Sequence, residues 1–189
     1  MEHGDDMKQE LPRRKHPRLK QYDYSSAGFY FVTICTHNRK CLFSRIVGRG
    51  LAPAENQYSQ YGVIAEEQLF LLEKRYAFLK IDRYVVMPNH IHAILVLEQE
   101  AAGASPRPTL TDIVCAYKSL TTKACKKVLP IAKVFQTSFY EHVIRGSADY
   151  QEIAEYIENN PKQWELDTLY NKELVLWEEQ NGNGYQQLG

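Results

Sequence analysis

Two apolar runs meet at a proline near the middle of the chain. Leu79-Lys80-Ile81-Asp82-Arg83-Tyr84-Val85-Val86 leads through Met87-Pro88-Asn89 into His90-Ile91-His92-Ala93-Ile94-Leu95-Val96-Leu97. Both runs are rich in β-branched residues, and Pro88 punctuates the chain between them, so they read as two strands joined by a turn. The second constrains the fold most. In a strand, side chains alternate between faces, so His90 and His92 share one face while Ile91 points to the other. Their Cα atoms are then about 6 to 7 Å apart, close enough for two imidazoles to share one metal ion. Taken alone, the pair also reads as two polar residues at a strand edge.

The rest of the chain supplies the partners for that strand. Phe29-Tyr30-Phe31-Val32-Thr33-Ile34-Cys35 reads as a first strand, with Thr36, His37, Asn38, Arg39 and Lys40 at its C-terminal end. A Gly- and Pro-containing loop from Gly48 to Asn56 precedes a helix from Tyr58 to about Tyr76, with Tyr61, Ala65, Leu69, Leu72 and Tyr76 on one face. After the strand from Phe78 to Met87 and the histidine strand, Ala101 to Pro108 is a small-residue linker. A second amphipathic helix is expected from Leu110 to about Val128, its core face traced by Leu110, Ile113, Tyr117, Leu120, Ala124 and Val128. Val134 to Ile144 reads as a fourth strand, and Ser147, with Asp149 two residues on, as the N-cap of a helix that stops before Pro161. Strand, helix, strand, strand, helix, strand is the split βαββαβ order. It implies an α+β, ferredoxin-like, four-stranded antiparallel sheet with two helices on one face, its first and third strands central, and an added C-terminal helix.

The division expected is a basic N-terminal arm at 1–27, a single catalytic domain at 28–164 and an acidic C-terminal tail at 165–189. Formal net charge is zero, which argues against a generic polycation. The balance is polarised, however. Arg13, Arg14, Lys15, Arg18 and Lys20 lie together without an acid, whereas eight acids follow Gln151 against Lys162 and Lys172. The arm, with Tyr22 and Tyr24 beside it, suits backbone and stacking contacts to single-stranded nucleic acid, or is a solvated tail. Lys118, Lys123, Lys126 and Lys127 on the second helix form either a phosphate-tracking surface or a solvated face. Cys35, Cys41, Cys115 and Cys125 make no Cys-x-x-Cys pair, so they read as free thiols of a reducing compartment. With no apolar leader in the first thirty residues and no apolar run long enough to cross a bilayer, a cytoplasmic protein without membrane contact is expected.

The last helix carries Tyr156-Ile157-Glu158-Asn159-Asn160-Pro161. Tyr156 and Asn160 are one turn apart and point the same way, whereas Tyr150 is rotated about 240° from Tyr156 and cannot share that face. If this helix covers the open face of the sheet, Tyr156 and Asn160 meet His90 and His92. An amide oxygen and two imidazoles leave positions on Mg²⁺ or Mn²⁺ for substrate oxygens and water. A tyrosine hydroxyl beside such an ion, with an ordinary pKa of about 10, becomes a nucleophile when the cation stabilises its phenolate. Covalent phosphotyrosine would result.

Tyr84-Val85-Val86-Met87-Pro88-Asn89-His90-Ile91-His92 followed by Tyr156-Ile157-Glu158-Asn159-Asn160-Pro161 closely resembles the REP-associated tyrosine transposases of the HUH endonuclease superfamily. The resemblance extends to Phe31-Val32-Thr33 with Arg39, and to Phe139-Tyr140-Glu141-His142-Val143-Ile144-Arg145. It implies that Tyr156 attacks single-stranded DNA, forming a 5′-phosphotyrosine and freeing a 3′-hydroxyl, while His90, His92 and Asn160 hold the metal. It further implies substrates that are imperfect palindromes folded into hairpins and cut beside short flanking tetranucleotides, with no ATP or other nucleotide cofactor. Arg13 to Lys20, Arg39, Lys118, Lys123 and Arg145 are the candidate DNA contacts, with monomer and homodimer both open. Two other readings fit the same residues: a non-catalytic hairpin-binding regulator, and a metal hydrolase that activates water on two histidines and leaves Tyr156 dispensable.

Overall fold

The computed structural model describes residues 22–48, 54–99, 107–128 and 130–172. Strands β1 (Gly28–Cys35), β4 (Leu79–Met87), β5 (His90–Leu97) and β6 (Tyr140–Val143) form one antiparallel sheet in the order β4-β5-β1-β6. Helices α1 (Gln60–Arg75) and α2 (Leu110–Val128) occupy the two crossovers, so the split βαββαβ topology is present with β1 and β5 central. Alternation sorts the central strands cleanly. Tyr30, Val32 and Ile34 of β1 and Ile91, Ala93, Leu95 and Leu97 of β5 join the core under α1 and α2. Phe31 and Ile94 face the other way, where they pack with Val85, Met87, Ile157 and Trp164 under helix α3 (Ser147–Asn159). Among the described residues no helix is long and apolar enough to cross a membrane.

Local chemistry explains the element ends. Ser59 caps α1: its hydroxyl accepts from the Gly62 N–H at 3.1 Å and donates to the Leu42 carbonyl at 2.6 Å. Gly62 is required there by close approach, since a Cβ would lie 2.0 Å from the Phe43 carbonyl oxygen. Before α1, β2 (Ser44–Val47) pairs with β3 (Glu55–Tyr58), which stands where the sequence reads as the end of a loop and the start of a helix. Both strands are four residues long, too short to show a pattern of their own.

Three further expectations change. On α2 the buried stripe runs through Leu110, Ile113, Val114, Tyr117, Thr121 and Cys125, leaving Val128 exposed. From Tyr117 onward both steps of three and steps of four satisfy a helical period, and packing selects the second. The fourth strand is only Tyr140–Val143, because the register changes before it. Thr33 pairs with Tyr140 but Thr36 pairs with Phe135, so five steps on one side oppose three on the other and residues 137–139 bulge out. Finally, Gly146, in the left-handed region at φ 90°, is the N-cap of α3 in place of Ser147. No side chain caps α3; Asp149 in its first turn instead accepts the N–H of Arg145, the residue before the cap, at 2.7 Å.

Candidate active site

The site begins with the histidine strand, β5. On β5, His90 and His92 point to the face under α3; they are 0% and 2% exposed, with ring centroids 4.3 Å apart. Each is oriented by a neighbour. Asn89 donates its Nδ2 to the Leu169 carbonyl at 2.9 Å, which leaves its Oδ1 to accept from His90 Nδ1 at 2.8 Å. His90 Nε2 therefore carries a lone pair, and it is buried with no hydrogen-bond partner. His92 Nδ1 lies 2.9 Å from Thr33 Oγ1, its partner across the β1–β5 ladder. Burial, and then the nearby Arg39 cation, push the His90 pKa down to about 3, with the Asn160 amide opposing. Burial, and then His90, hold His92 well below the ordinary histidine range, opposed by Asp167. Both imidazoles are thus neutral at physiological pH, the form that ligates metals.

Helix α3 brings the rest. Tyr156 Oη is 3.2 Å from His92 Nε2 and donates to Asp167 Oδ2 at 2.9 Å. One turn on, Asn160 Nδ2 donates to the same carboxylate oxygen at 2.7 Å, and its Oδ1 is buried without a hydrogen-bond partner. The Tyr156 hydroxyl is raised above its usual pKa by burial, then by the charge of Asp167 and its hydrogen bond. Tyr150 points elsewhere, to Asp82 at 2.6 Å and Phe29.

Asp167 arrives on a segment read from the sequence as tail. A 3-10 turn at Trp164–Leu166 buries Trp164 against His90 and Tyr170, ring centroids 5.9 and 5.2 Å away. That anchor turns the chain back so that Asp167 stands over the histidines, and the Leu169 N–H donates to its Oδ1 at 2.6 Å. Ligand atoms of His90, His92 and Asp167 all lie within 4.8 Å of one another. With the two unpartnered buried atoms, His90 Nε2 and Asn160 Oδ1, the donor set of nitrogen and oxygen fits a divalent cation. A cleft of about 300 Å³ opens beside His92 and Tyr156.

The other candidate residues are dispersed. Arg39 sits at a turn in which it and Asn38 adopt left-handed backbone, close enough to His90 for its charge to be felt. Lys118 is committed to the Thr137 carbonyl at 2.8 Å, and Lys123 lies exposed on α2, across the sheet from α3. Arg145 is exposed before α3, while His142 pairs with Asp149 at 2.9 Å. Tyr22 and Tyr24 pack on Tyr30, on the helix side of the sheet, rather than lying free to stack on a ligand. Arg13, Arg14, Lys15, Arg18 and Lys20 lie outside the described residues. Asp167, Thr33 and Asn89 are the site residues that sequence reasoning missed. The one signal for Asp167 was Trp164, a large apolar residue in an otherwise acidic run.

No protein-family model matches the chain. It is 34% identical over 175 residues to an uncharacterised protein of Haemophilus influenzae, covering 85% of this chain and 94% of that protein. Over 138 residues it is 27% identical to the REP-associated tyrosine transposase of Escherichia coli K12, covering 73% and 68% respectively. A solved structure of a REP-associated tyrosine transposase bound to a REP hairpin shares the fold, with TM-score 0.55, 20% identity and coverage of 77% of this chain and 73% of that one. Homology and the His–His–Asp group together support a transposase-like, DNA-processing function. The chain is thus similar in sequence to one REP-associated tyrosine transposase and shares its fold with a solved one.

Proposed function

We propose that this protein is a metal-dependent tyrosine transposase that cleaves and rejoins single-stranded DNA at hairpin-forming palindromic repeats, through a 5′-phosphotyrosine intermediate. One observation carries the reading: the Tyr156 hydroxyl is 3.2 Å from His92 Nε2, beside two buried ligand atoms that have no other partner, His90 Nε2 and Asn160 Oδ1. A structural tyrosine would have no use for such neighbours, since each unpartnered buried polar atom costs roughly 1–3 kcal/mol.

His90, His92 and Asn160, with Asp167 in reach, would hold a divalent cation. Bound there, Mg²⁺ or Mn²⁺ supplies positive charge that polarises the scissile phosphate and stabilises a phenolate. Asn89 and Thr33 fix the two imidazoles, so the ligand set is formed before substrate arrives. Asp167 holds the phenol and accepts its proton. Tyr156 Oη bonds to phosphorus, the bond from phosphorus to the 3′ oxygen breaks, and that oxygen takes up a proton and leaves as a hydroxyl. Rejoining reverses the same steps, so the bond energy stays in the phosphotyrosine and no nucleotide cofactor is needed.

The test is Tyr156→Phe with a labelled single-stranded hairpin oligonucleotide and Mg²⁺ or Mn²⁺. The wild type is expected to form a denaturation-resistant adduct, and the variant to bind the hairpin without forming one. An adduct that persists in the variant overturns the assignment. Cleavage without any adduct would favour a water-activating hydrolase, and binding without cleavage a regulator.

A further inference from the structure

The register change before β6 creates a feature that the chemistry at Tyr156 does not use. Residues 137–139 leave the sheet between the Thr36–Phe135 and Thr33–Tyr140 pairs, and two of them, Ser138 and Phe139, line the cleft of about 300 Å³. Phe31 and Tyr140 line it together with Gln136 just before the bulge, Ser138 within it, and Thr168. Tyr156 and His92 line the same cleft, so an occupant touches the reacting hydroxyl. The bulge is anchored: Lys118, half-buried on α2, donates to the Thr137 carbonyl at 2.8 Å, and the Gln136 N–H donates to the Cys35 carbonyl.

Aromatic rings run outward from the site in sequence. Phe31 stacks on His92 at 5.2 Å and 28°, and Tyr140 meets Phe31 edge-on at 6.4 Å. Phe31 is buried, whereas Tyr140 is 51% exposed and lies on the site face of an edge strand, directly across from Thr33. An exposed ring at the mouth of a polar-rimmed cleft is a platform for a flat partner. The volume lies at the low end for small-ligand pockets and is far too small for a duplex. An unstacked nucleobase with its sugar matches both the size and the mix of ring and amide or hydroxyl groups.

We infer that this cleft receives one unstacked base of the DNA strand next to the scissile phosphate, with Tyr140 as its stacking platform and Gln136 and Ser138 at its edge. This rests on the proposed function for the position of the phosphate. The base then sets the register of the strand over Tyr156, and the cleft is a determinant of where the strand is cut. Gln136 offers both a donor and an acceptor, so it discriminates between base edges.

The experiment places 2-aminopurine at each position flanking the hairpin in turn and measures its fluorescence on binding the full-length protein with Mn²⁺. One position is expected to change in intensity far more than its neighbours. That change is retained in Tyr140→Phe and lost in Tyr140→Ala, whose affinity for the oligonucleotide falls roughly five- to a hundredfold. Ser138→Trp, which fills the cleft, should weaken binding of the intact strand but not of one made abasic at that position. Both changed residues are exposed, and unaltered melting of the variants shows that the fold is kept. A uniform response across all positions, or one unchanged by Tyr140→Ala, overturns the inference. Adduct formation by the wild type reads the other claim separately. A localised, Tyr140-dependent signal without any adduct would sink the nuclease reading and leave the base pocket standing.

Discussion

The two faces of the sheet are cut from the same strands and do opposite things. On one, Tyr30, Val32, Ile34, Ile91, Ala93, Leu95 and Leu97 meet the stripes of α1 and α2 in an apolar core. On the other, alternate residues of the same strands present Thr33, His90 and His92 to α3, and the buried groups there include Asn160 and two polar atoms without partners. The first face closes around itself, and its burial is the main source of stability. The second carries desolvated, unsatisfied groups that lower stability unless something binds them. The contrast is what a functional site on a stable scaffold requires.

Substitutions that separate the faces sharpen this contrast. On the proposed function, His90→Ala should lower metal-dependent cleavage at least about a hundredfold, because a ligand to the cation that would polarise the phosphate is lost. Its stability in the absence of metal should fall less than that of a core truncation, since the unpartnered Nε2 goes with the ring while the Asn89 hydrogen bond and the packing on Trp164 are lost; urea unfolding checks this. Leu69→Ala, on the closed face, should do the reverse: about 2–5 kcal/mol of stability lost, with cleavage intact below the unfolding transition. If His90→Ala unfolds the protein or Leu69→Ala spares it, the division between faces is wrong. Asp167→Asn should weaken Mn²⁺ binding by roughly 10- to 100-fold in calorimetry, the range for groups that support a metal site.

The smallest effect lies at the rim, at Asp149. The Arg145 N–H, and then the His142 hydrogen bond, hold its carboxyl below the usual carboxylate range. A depressed folded pKa means that the unfolded chain binds the proton first as pH falls. The stability Asp149 contributes is therefore present above about pH 4 and is lost as pH drops through its lower folded value. The wild type should melt slightly above Asp149→Asn near neutrality, and the gap should close in acid. A gap that widens in acid would contradict the assignment.

Much of this arrangement was legible in the chain because it rests on periods. A period of two put His90 and His92 on one face, and a period of 3.6 put Asn160 one turn from Tyr156. The βαββαβ order then brought the two halves together. What escaped has no period. Asp167 reaches the histidines only because Trp164 anchors a 3-10 turn that reverses the chain. The bulge at 137–139 depends on a register set by the end of β1, and Val134 and Phe135 before the slip read as strand just as Tyr140 to Val143 do after it. On α2, Thr121 and Cys125 displaced Leu120 and Ala124 because packing selected steps of four from Tyr117 over the more apolar phase, with the Thr121 hydroxyl donating to the Tyr117 carbonyl.

The proposed bond between Tyr156 and phosphorus is read directly by mass spectrometry of the trapped complex. Wild-type protein incubated with a hairpin oligonucleotide and Mn²⁺, digested with protease and nuclease, should yield the peptide containing Tyr156 with a nucleotide phosphate on that side chain. A nucleotide attached at any other residue, or cleaved DNA with Tyr156 unmodified throughout the time course, would contradict it.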